Sequence, residues 1–529
     1  MNRTLEILEQ RWQGACKVLF GSETCTLAEC EPWLKEYLEP LSCNHSSISG
    51  KEVISAPTGY CVGARWLSFD EVDFSRKFPP LSINEVKDID SLVDAISERM
   101  CYSGNVVFGN SGNIENSSNI NDSHYMYGVG RHGNSKYIVD CAIGRLNEDC
   151  FGCNGNGESS FCVKCSRSFR NKRCFEAWMC QSCSDCYYSS GLTGCSECLF
   201  CFNARSMKHS IGNLALDISK YRGIKEKLTA EMAEILSKKK RLPTLVEMVA
   251  KSKMEKPVLT VNEENSREEF DKEKIEKAFL DTCRVIFGKE LDGGIDSYAK
   301  WLKRHTRETI VGRSAASKKE LFMPNAVNYP KLPKNRLLSD REALELGAKT
   351  KMFAKDVEDL SMQNADEKLA AIAFFNIDLF EGNNHNNIEC AVCFDSVNNY
   401  RNSLLFYGKN SGYCFWPRNC DHVFGCDSPF SSEFSINCYS CTNQTRCFEI
   451  DCCGYCTDSY FCHNCEGMRE SMFCFNIKNR RNCIGNSEFS PVEYSKAKKM
   501  LVGQMYDELS SKKDLRYDIY NVACMGKHK

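Results

Sequence analysis

From Asn110 to Arg205, small or apolar side chains return at every third position. Written in rows of twelve, the chain falls into columns: NSGNIENSSNIN, DSHYMYGVGRHG, NSKYIVDCAIGR, LNEDCFGCNGNG, ESSFCVKCSRSF, RNKRCFEAWMCQ, SCSDCYYSSGLT, GCSECLFCFNAR. Columns 2, 5, 8 and 11 hold the small or apolar residues, and column 5 reads Ile114, Met126, Ile138, Cys150, Cys162, Cys174, Cys186, Cys198. Column 6 is apolar in most rows, whereas column 12 is mostly polar or glycine (Asn121, Gly133, Arg145, Gly157, Gln181). A triangular coil built of hexapeptides would make columns 6 and 12 equivalent. The contrast therefore selects a twelve-residue coil that turns the same positions inward at every pass. The pattern predicts a β-solenoid over 105–213 and a second over 383–487, where the lattice returns.

Outside these stretches the spacing is helical. MNRTLEILEQRW opens an amphipathic helix with Leu5, Leu8, Trp12, Ala15 and Leu19 on one side. Ser266-x-x-Glu269 is a capping box before Phe270, Ile275, Phe279, Cys283 and Ile286. Ser490-Pro491-x-Glu493 combines N-cap, first-turn proline and box before Tyr494, Ala497 and Leu501. Ser68-x-x-Glu71 and Ser339-x-x-Glu342 are two more boxes, and 218–256 is helical and charged, with Pro243 opening a second helix.

The chain also repeats itself. Arg173-Cys174-Phe175-Glu176 recurs as Arg446-Cys447-Phe448-Glu449, and Phe202-Asn203 and Ile211-Gly212-Asn213 recur as Phe475-Asn476 and Ile484-Gly485-Asn486, all at a shift of 273. Upstream, Cys16–Gly21 returns as Cys283–Gly288 and Trp33-Leu34 as Trp301-Leu302, at 267 to 268. The expected architecture is α+β with an internal duplication: a mainly helical head over 1–104, a solenoid over 105–213 and a helical tail over 214–256; a linker over 257–266; then head 267–382, solenoid 383–487 and tail 488–529.

Four inward positions at three-residue spacing, filled by Cys, Ser, Ala, Ile or Val, resemble the twelve-residue right-handed β-helix of insect antifreeze proteins. The resemblance covers the inward pattern only. The outward Thr-x-Thr ranks used there for ice are replaced by pairs such as Asn134/Lys136 and Arg170/Lys172, so ice binding is not implied. The chain also resembles Cys- and Asn-rich tandem-repeat proteins of uncultivated microbes and phages, which brings no activity.

Cysteine carries the sharpest chemical suggestion. Twenty-seven of the 35 lie in 141–201 and 390–483, and all but Cys452 share one three-residue register. Cys150-x-x-Cys153, Cys162-x-x-Cys165, Cys180-x-x-Cys183 and Cys462-x-x-Cys465 have metal-knuckle spacing, so Cys150, Cys153, Cys162, Cys165, Cys180, Cys183, Cys462 and Cys465 are the candidate ligands if zinc or an iron–sulfur cluster binds. Against this, Ser, Ala, Ile and Val replace Cys freely on the lattice, as narrow-core packing of a small hydrophobe allows and ligation does not. The expectation is a packed core without cofactor; disulfides are the remaining alternative.

Column 6 forms an outward apolar stripe: Phe151, Val163, Phe175, Tyr187 and Leu199 in the first solenoid, Phe424, Ile436, Phe448, Tyr460 and Met472 in the second. It is either covered by helices of its own copy or serves as an interface between solenoids or chains. The charges Arg173, Asp185 and Glu197, matched by Arg446, Asp458 and Glu470, are expected to form a ladder beside it.

The rest narrows the function by exclusion. With 68 basic and 70 acidic residues, the chain has no global pull toward nucleic acid or membrane. No apolar run is long enough for a transmembrane helix, and the N-terminus lacks a signal-peptide core, so an intracellular protein with reduced thiols is expected. Gly128-x-Gly130-x-x-Gly133 matches a dinucleotide fingerprint by letter only, lacking a strand–helix unit. Lys238–Arg241 ends a helix, where cations suit the dipole. His422 and His463 read as surface residues, and no nucleophile, acid or base is singled out by spacing. The expected function is a non-enzymatic structural or interaction scaffold that associates with itself or another protein. A thiolate metal or redox protein is the alternative, and a polysaccharide-active β-helix the third.

Overall fold

The computed structural model describes residues 3–82, 86–260 and 270–525. Helices α1 (Arg3–Phe20), α2 (Leu27–Leu34) and α3 (Ile89–Ile96) precede a first stack of parallel strands, and α4 (Ile218–Lys239) and α5 (Leu245–Lys251) follow it. Helices α6 (Lys272–Phe287), α7 (Ala299–Leu302), α8 (Asp340–Lys349), α9 (Ala354–Glu358) and α10 (Ala365–Lys368) precede a second stack, which α11 (Pro491–Lys512) follows. The chain is thus α+β. The expected boxes at Ser68, Ser339 and Ser490 are formed. The box at Ser266 and Glu269 and most of the linker lie outside the described residues, and α6 is capped by Asp271. Each head also carries a hairpin, Ser42–His45 with Glu52–Ser55 and Thr309–Arg313 with Glu320–Pro324, which helical spacing did not foresee.

The first stack has a ten-stranded sheet from Gly112–Glu115 to Leu214–Ala215 and a five-stranded sheet from Val107–Phe108 to Asn154–Gly157. The second has a ten-stranded sheet from His385–Ile388 to Ser487–Glu488 and a three-stranded sheet from Phe380–Glu381 to Ser403–Phe406. Parallel partners are twelve residues apart: Ile138 with Cys150, Cys150 with Cys162, Cys162 with Cys174, and Ile436 with Phe448, Phe448 with Tyr460. Only the first layer of each stack is offset by thirteen, Val107 with Ile120 and Phe380 with Cys393. Each stack ends in a short antiparallel return, Ile211 with Leu214 and Ile484 with Ser487.

The three-residue register has a backbone cause. Every third residue is left-handed: Asn113, Asn116, Asn119, Asp122 and Tyr125 have φ of 59°, 46°, 60°, 45° and 57°. Each such residue turns the chain, so a triplet consists of one inward residue, one outward residue and one turn. The outward N–H reaches the next layer (Ser118 N to Val129 O, 3.0 Å) and the turn N–H the previous one (Asp140 N to Tyr127 O, 2.9 Å). An inward N–H is often taken by the inward side chain twelve residues earlier. Asn147 N donates to Ser135 Oγ (3.0 Å), Ser159 N to Asn147 Oδ1 (3.1 Å), Asn171 N to Ser159 Oγ (3.1 Å) and Cys153 N to Cys141 Sγ (3.3 Å). The same side chains donate to carbonyls two back and nine ahead, as Cys153 Sγ does to Phe151 O (3.5 Å) and Cys162 O (3.4 Å). Buried Cys here is therefore more than a small hydrophobe. It satisfies backbone groups that would otherwise be orphaned, which is why Ser and Asn share its positions.

The recurring motifs acquire individual tasks. Asn213 and Asn486 close the last layer of their stacks: each side chain accepts from the backbone N–H of Phe202 or Phe475 (2.9 Å each) and donates to the carbonyl of the same residue (3.0 and 2.8 Å). Arg173 and Arg446 pair with Asp185 and Asp458, and Glu197 and Glu470 extend these ladders to His209 and Arg481.

The heads cross over. Met352 N donates to Gly212 O (2.8 Å) at the end of the first stack, whereas Arg99 Nη1 donates to Gly485 O (2.8 Å) at the end of the second. A Cβ on Gly212 would collide with Met352, and one on Gly485 with Ile96. One apolar core accordingly joins α1, α2, α4 and α5 to residues 321–377, and another joins α6, α7 and α11 to residues 53–102. Two disulfides, Cys25–Cys30 and Cys61–Cys524, lie outside the stacks where the sequence suggested thiols, while the stack cysteines are all free.

Cys141 separates the two views of the interior thiols. Its sulfur accepts from Cys153 N and donates to Val139 O, both at 3.3 Å. Cys141→Ser should stay near wild-type stability, whereas Cys141→Ala should lose about 1–3 kcal/mol by orphaning that N–H. Denaturant unfolding of the two variants is the measurement, and equal tolerance of Ala and Ser would count against the relay.

Candidate functional site

The stripe is internal. None of Phe151, Val163, Phe175, Tyr187, Leu199, Phe424, Ile436, Phe448, Tyr460 and Met472 is more than 1% exposed. Trp12 of α1 packs edge-on against Phe151 at 5.2 Å, Phe20 and Trp33 lie 5.1 and 6.1 Å from Phe175, and Tyr187 Oη donates to Leu19 O (3.0 Å). In the second stack Phe279 covers Phe424 at 5.2 Å, Phe287 and Trp301 lie 5.2 and 6.1 Å from Phe448, and Tyr460 Oη donates to Ile286 O (2.9 Å). The head residues that recur in the sequence are those that cover the recurring stripe. An interface to a second copy through this stripe is thereby corrected: its surface is already buried within the chain.

Beside the stripe each stack holds a fully buried glutamate. Glu176 Oε2 accepts from Leu245 N (3.1 Å) and Trp178 Nε1 (3.0 Å), and Glu449 Oε2 accepts from Ile519 N (3.0 Å) while Asn437 Nδ2 donates to Oε1 (2.8 Å). They fasten the chain after α4 and after α11 to the stack. Burial pushes Glu176 up to about 7, against the opposing pull of Lys164. Burial, with Asp518 adding, raises Glu449 to about 8.

The candidate ligands Cys150, Cys153, Cys162, Cys165, Cys180, Cys183, Cys462 and Cys465 all lie inside the stacks, none more than 2% exposed. Their sulfurs donate to carbonyls, for example Cys165 Sγ to Val163 O (3.6 Å) and Cys174 O (3.4 Å), and Cys465 Sγ to His463 O and Cys474 O (3.3 Å each). Among the described residues no group of three or more His, Cys, Asp or Glu is arranged to hold a metal.

The two stacks meet through faces other than the stripe, Arg131 against Asp427 (3.8 Å) and Phe169 against Phe406 (5.8 Å), and each stack also reaches the opposite head. Asn203 Nδ2 donates to Phe374 O (2.8 Å) and Asn476 Nδ2 to Cys101 O (2.7 Å), so residues 273 apart make reciprocal contacts. His463, expected at the surface, is fully buried in this seam. Its Nε2 accepts from Ser103 N (2.9 Å), so the proton sits on Nδ1 and is donated to Asp451 Oδ2 (3.0 Å), which also accepts from Tyr60 Oη. With both ring nitrogens committed, His463 is a fastener between halves. Of the basic run, Lys238 pairs with Glu234, Lys240 with Glu29, and Arg241 with Glu36 and Glu247.

Between the stacks the seam opens into a cleft of about 800 Å³, lined by Arg131, His132, Arg145, Asn156 and Phe169 from one side and Trp416, Arg418, Phe430, Ser440 and Tyr455 from the other. His132 points inward, its ring occupying room that a Cβ on Gly144 would close, and burial lowers it to about 4, which keeps it neutral. Arg418 lies over Phe406, Trp416 and Phe430 at 5.2, 5.6 and 5.5 Å. Burial, reinforced by Arg145, lowers its pKa to about 10. Sequence spacing did not mark this cleft, because its walls come from stretches hundreds of residues apart. Compared with protein-family models, curated proteins and solved structures, the chain finds no match in any of the three.

The buried glutamates impose a pH dependence. Raised above their ordinary value of 4.5, they contribute stability that is fully present below that pH and is lost as pH rises through about 7 for Glu176 and about 8 for Glu449. Glu176→Gln keeps an acceptor for Leu245 N but removes the titration. Its unfolding free energy from urea titration should therefore fall less than that of wild type between pH 5 and 8, by an amount on the order of 3 kcal/mol at 1.36 kcal/mol per pKa unit. Parallel pH profiles would show that Glu176 does not carry the charge.

Proposed function

We propose that this protein is a non-enzymatic interaction scaffold: two β-solenoids of twelve-residue coils, the second a duplicate of the first, folded face to face as an internal dimer. The observation that carries this is the reciprocity of the contacts between each stack and the opposite head, Asn203 to Phe374 O against Asn476 to Cys101 O. In a homodimer such an isologous contact joins two chains, and here the tandem copy supplies it. Crossed capping of Gly212 by Met352 and of Gly485 by Arg99 and Ile96 supports the same relation. The twelve-residue register supports the likeness to the insect antifreeze β-helix at the level of the coil alone. With the stripe under helices and the facing surfaces against each other, the partner is a different molecule from a second copy, and the cleft is the recess left for it.

Solenoid ends expose unpaired backbone and associate unless covered, and here the C-terminal end of each stack takes a covering contact from the other half, Met352 on Gly212 and Arg99 on Gly485. Residues 1–256 and 267–529 expressed separately should therefore each aggregate or remain unfolded. Expressed together they should form a one-to-one complex with the mass of one intact chain by light scattering. Two independently stable monomeric halves would overturn the internal dimer. An intact chain that forms larger particles at low concentration would replace it with self-assembly.

A further inference from the structure

The cleft is furnished for an anion. Arg145 and Arg418 are 273 residues apart, so they hold equivalent places in the two stacks, and both line the same recess. Arg145 is half-exposed, and its partner Glu158, at 3.8 Å, is shared with Arg170 at 2.9 Å. The residue equivalent to Glu158 in the second stack is Ser431, and among the described residues no carboxylate pairs with Arg418. Two like charges are thus brought to one recess with Glu158 shared between them, the lining also holding Asp122 and Glu466 beside Arg131 and Lys478.

Orphaned polar atoms gather at the same place. Arg131 Nε, Trp416 Nε1, Arg418 Nε and Ser440 Oγ, on turn and outward positions that line the cleft, are buried without hydrogen-bond partners. Buried polar groups are nearly always bonded, so such a concentration marks a place where a polar molecule completes the site. The volume of about 800 Å³ lies within the range of small-ligand sites. Phe169, Trp416 and Phe430 give the recess an aromatic wall on which a planar ring can lie. Two guanidiniums match a charge near −2, which a phosphate monoester carries at neutral pH and a single carboxylate does not.

We infer that the cleft binds a phosphate monoester carried on a planar ring, of the nucleoside monophosphate kind, with the phosphate between Arg145 and Arg418 and the ring against the aromatic wall. This inference rests on the scaffold reading of the cleft.

Calorimetric titration of the full chain with AMP, inorganic phosphate and adenosine tests it. AMP should bind most tightly, phosphate more weakly and in competition with AMP, and adenosine weakest. Arg145→Gln and Arg418→Gln should each weaken AMP about tenfold or more through loss of a charge-assisted contact. Arg418 is packed among rings, so if Arg418→Gln does not fold, the half-exposed Arg145 carries the test. Without ligand, Arg145→Gln should melt no lower than wild type, since it relieves a like-charge neighbour, and added phosphate should raise the melting temperature of wild type more than that of the variant. A wild-type chain that binds neither AMP nor phosphate, adenosine binding as tight as AMP, or unchanged affinity in the variants would overturn the inference. A chain that binds no AMP yet assembles from its halves would lose the ligand and keep the scaffold.

Discussion

The left-handed turn at every third residue is the constraint on which the rest of the structure depends. It costs roughly 1–2 kcal/mol wherever the residue is not glycine, and the chain bears it at residues as bulky as Tyr125, Ile143 and Phe161. What offsets it is stacking, because each turn presents its N–H to the layer below and each outward residue its N–H to the layer above. The inward N–H is left facing a narrow interior. Only a small side chain that both accepts and donates can serve it there, which restricts much of the lattice to Ser, Cys and Asn. Cysteine adds a dry, polarizable atom to that relay, so the abundance of thiols follows from backbone geometry without any demand for a metal.

A stack made this way has flat faces and open ends, and neither is stable in water. The stripe face is closed by helices of the same half, with Phe20 and Trp33 on Phe175 and Phe287 and Trp301 on Phe448. The first layer of each stack meets its own head, Asn105 with Ile54 and Asn386 with Asp271, while the last layer is covered by its own antiparallel return and by a segment of the opposite half. Buried glutamates then hold the chain after α4 and after α11 in place, at an electrostatic cost that grows as they ionise. The cleft remains where the two faces meet without complementarity. Arg131 finds Asp427 at 3.8 Å, whereas the positions equivalent to these two, Leu404 and Asn154, form no ion pair.

The periodic part of the molecule was legible in the amino-acid order because every layer restates it. The twelve-residue offset, the inward columns and the apolar stripe each appear in many rows, so single exceptions such as His132 or Cys452 do not obscure them. The left-handed turns were legible only in part. Asn, Asp and Gly favour that conformation, but Arg, Tyr, Phe and even Ile143 occupy it too, and they mask the preference. The recurring Gly-Asn at 212–213 and 485–486 was visible as a repeat, whereas its task of closing the last layer was not.

The sequence alone determined what is local and repeated: the twelve-residue register, its inward columns, the helical spacing of α1 and α6, and the correspondence of residues 273 apart. The tertiary structure decided which surfaces meet. The stripe's alternatives were settled by the fit of α1 and α6 onto it. The crossing of the heads, the burial of His463 against Ser103 and Asp451, and the convergence of Arg145 with Arg418 were decided by shape and charge between segments far apart in the chain. Ser103 and His463 are separated by 360 residues, and Tyr60 and Asp451 by 391. Contacts at such distances leave no period in the sequence, because each is made once.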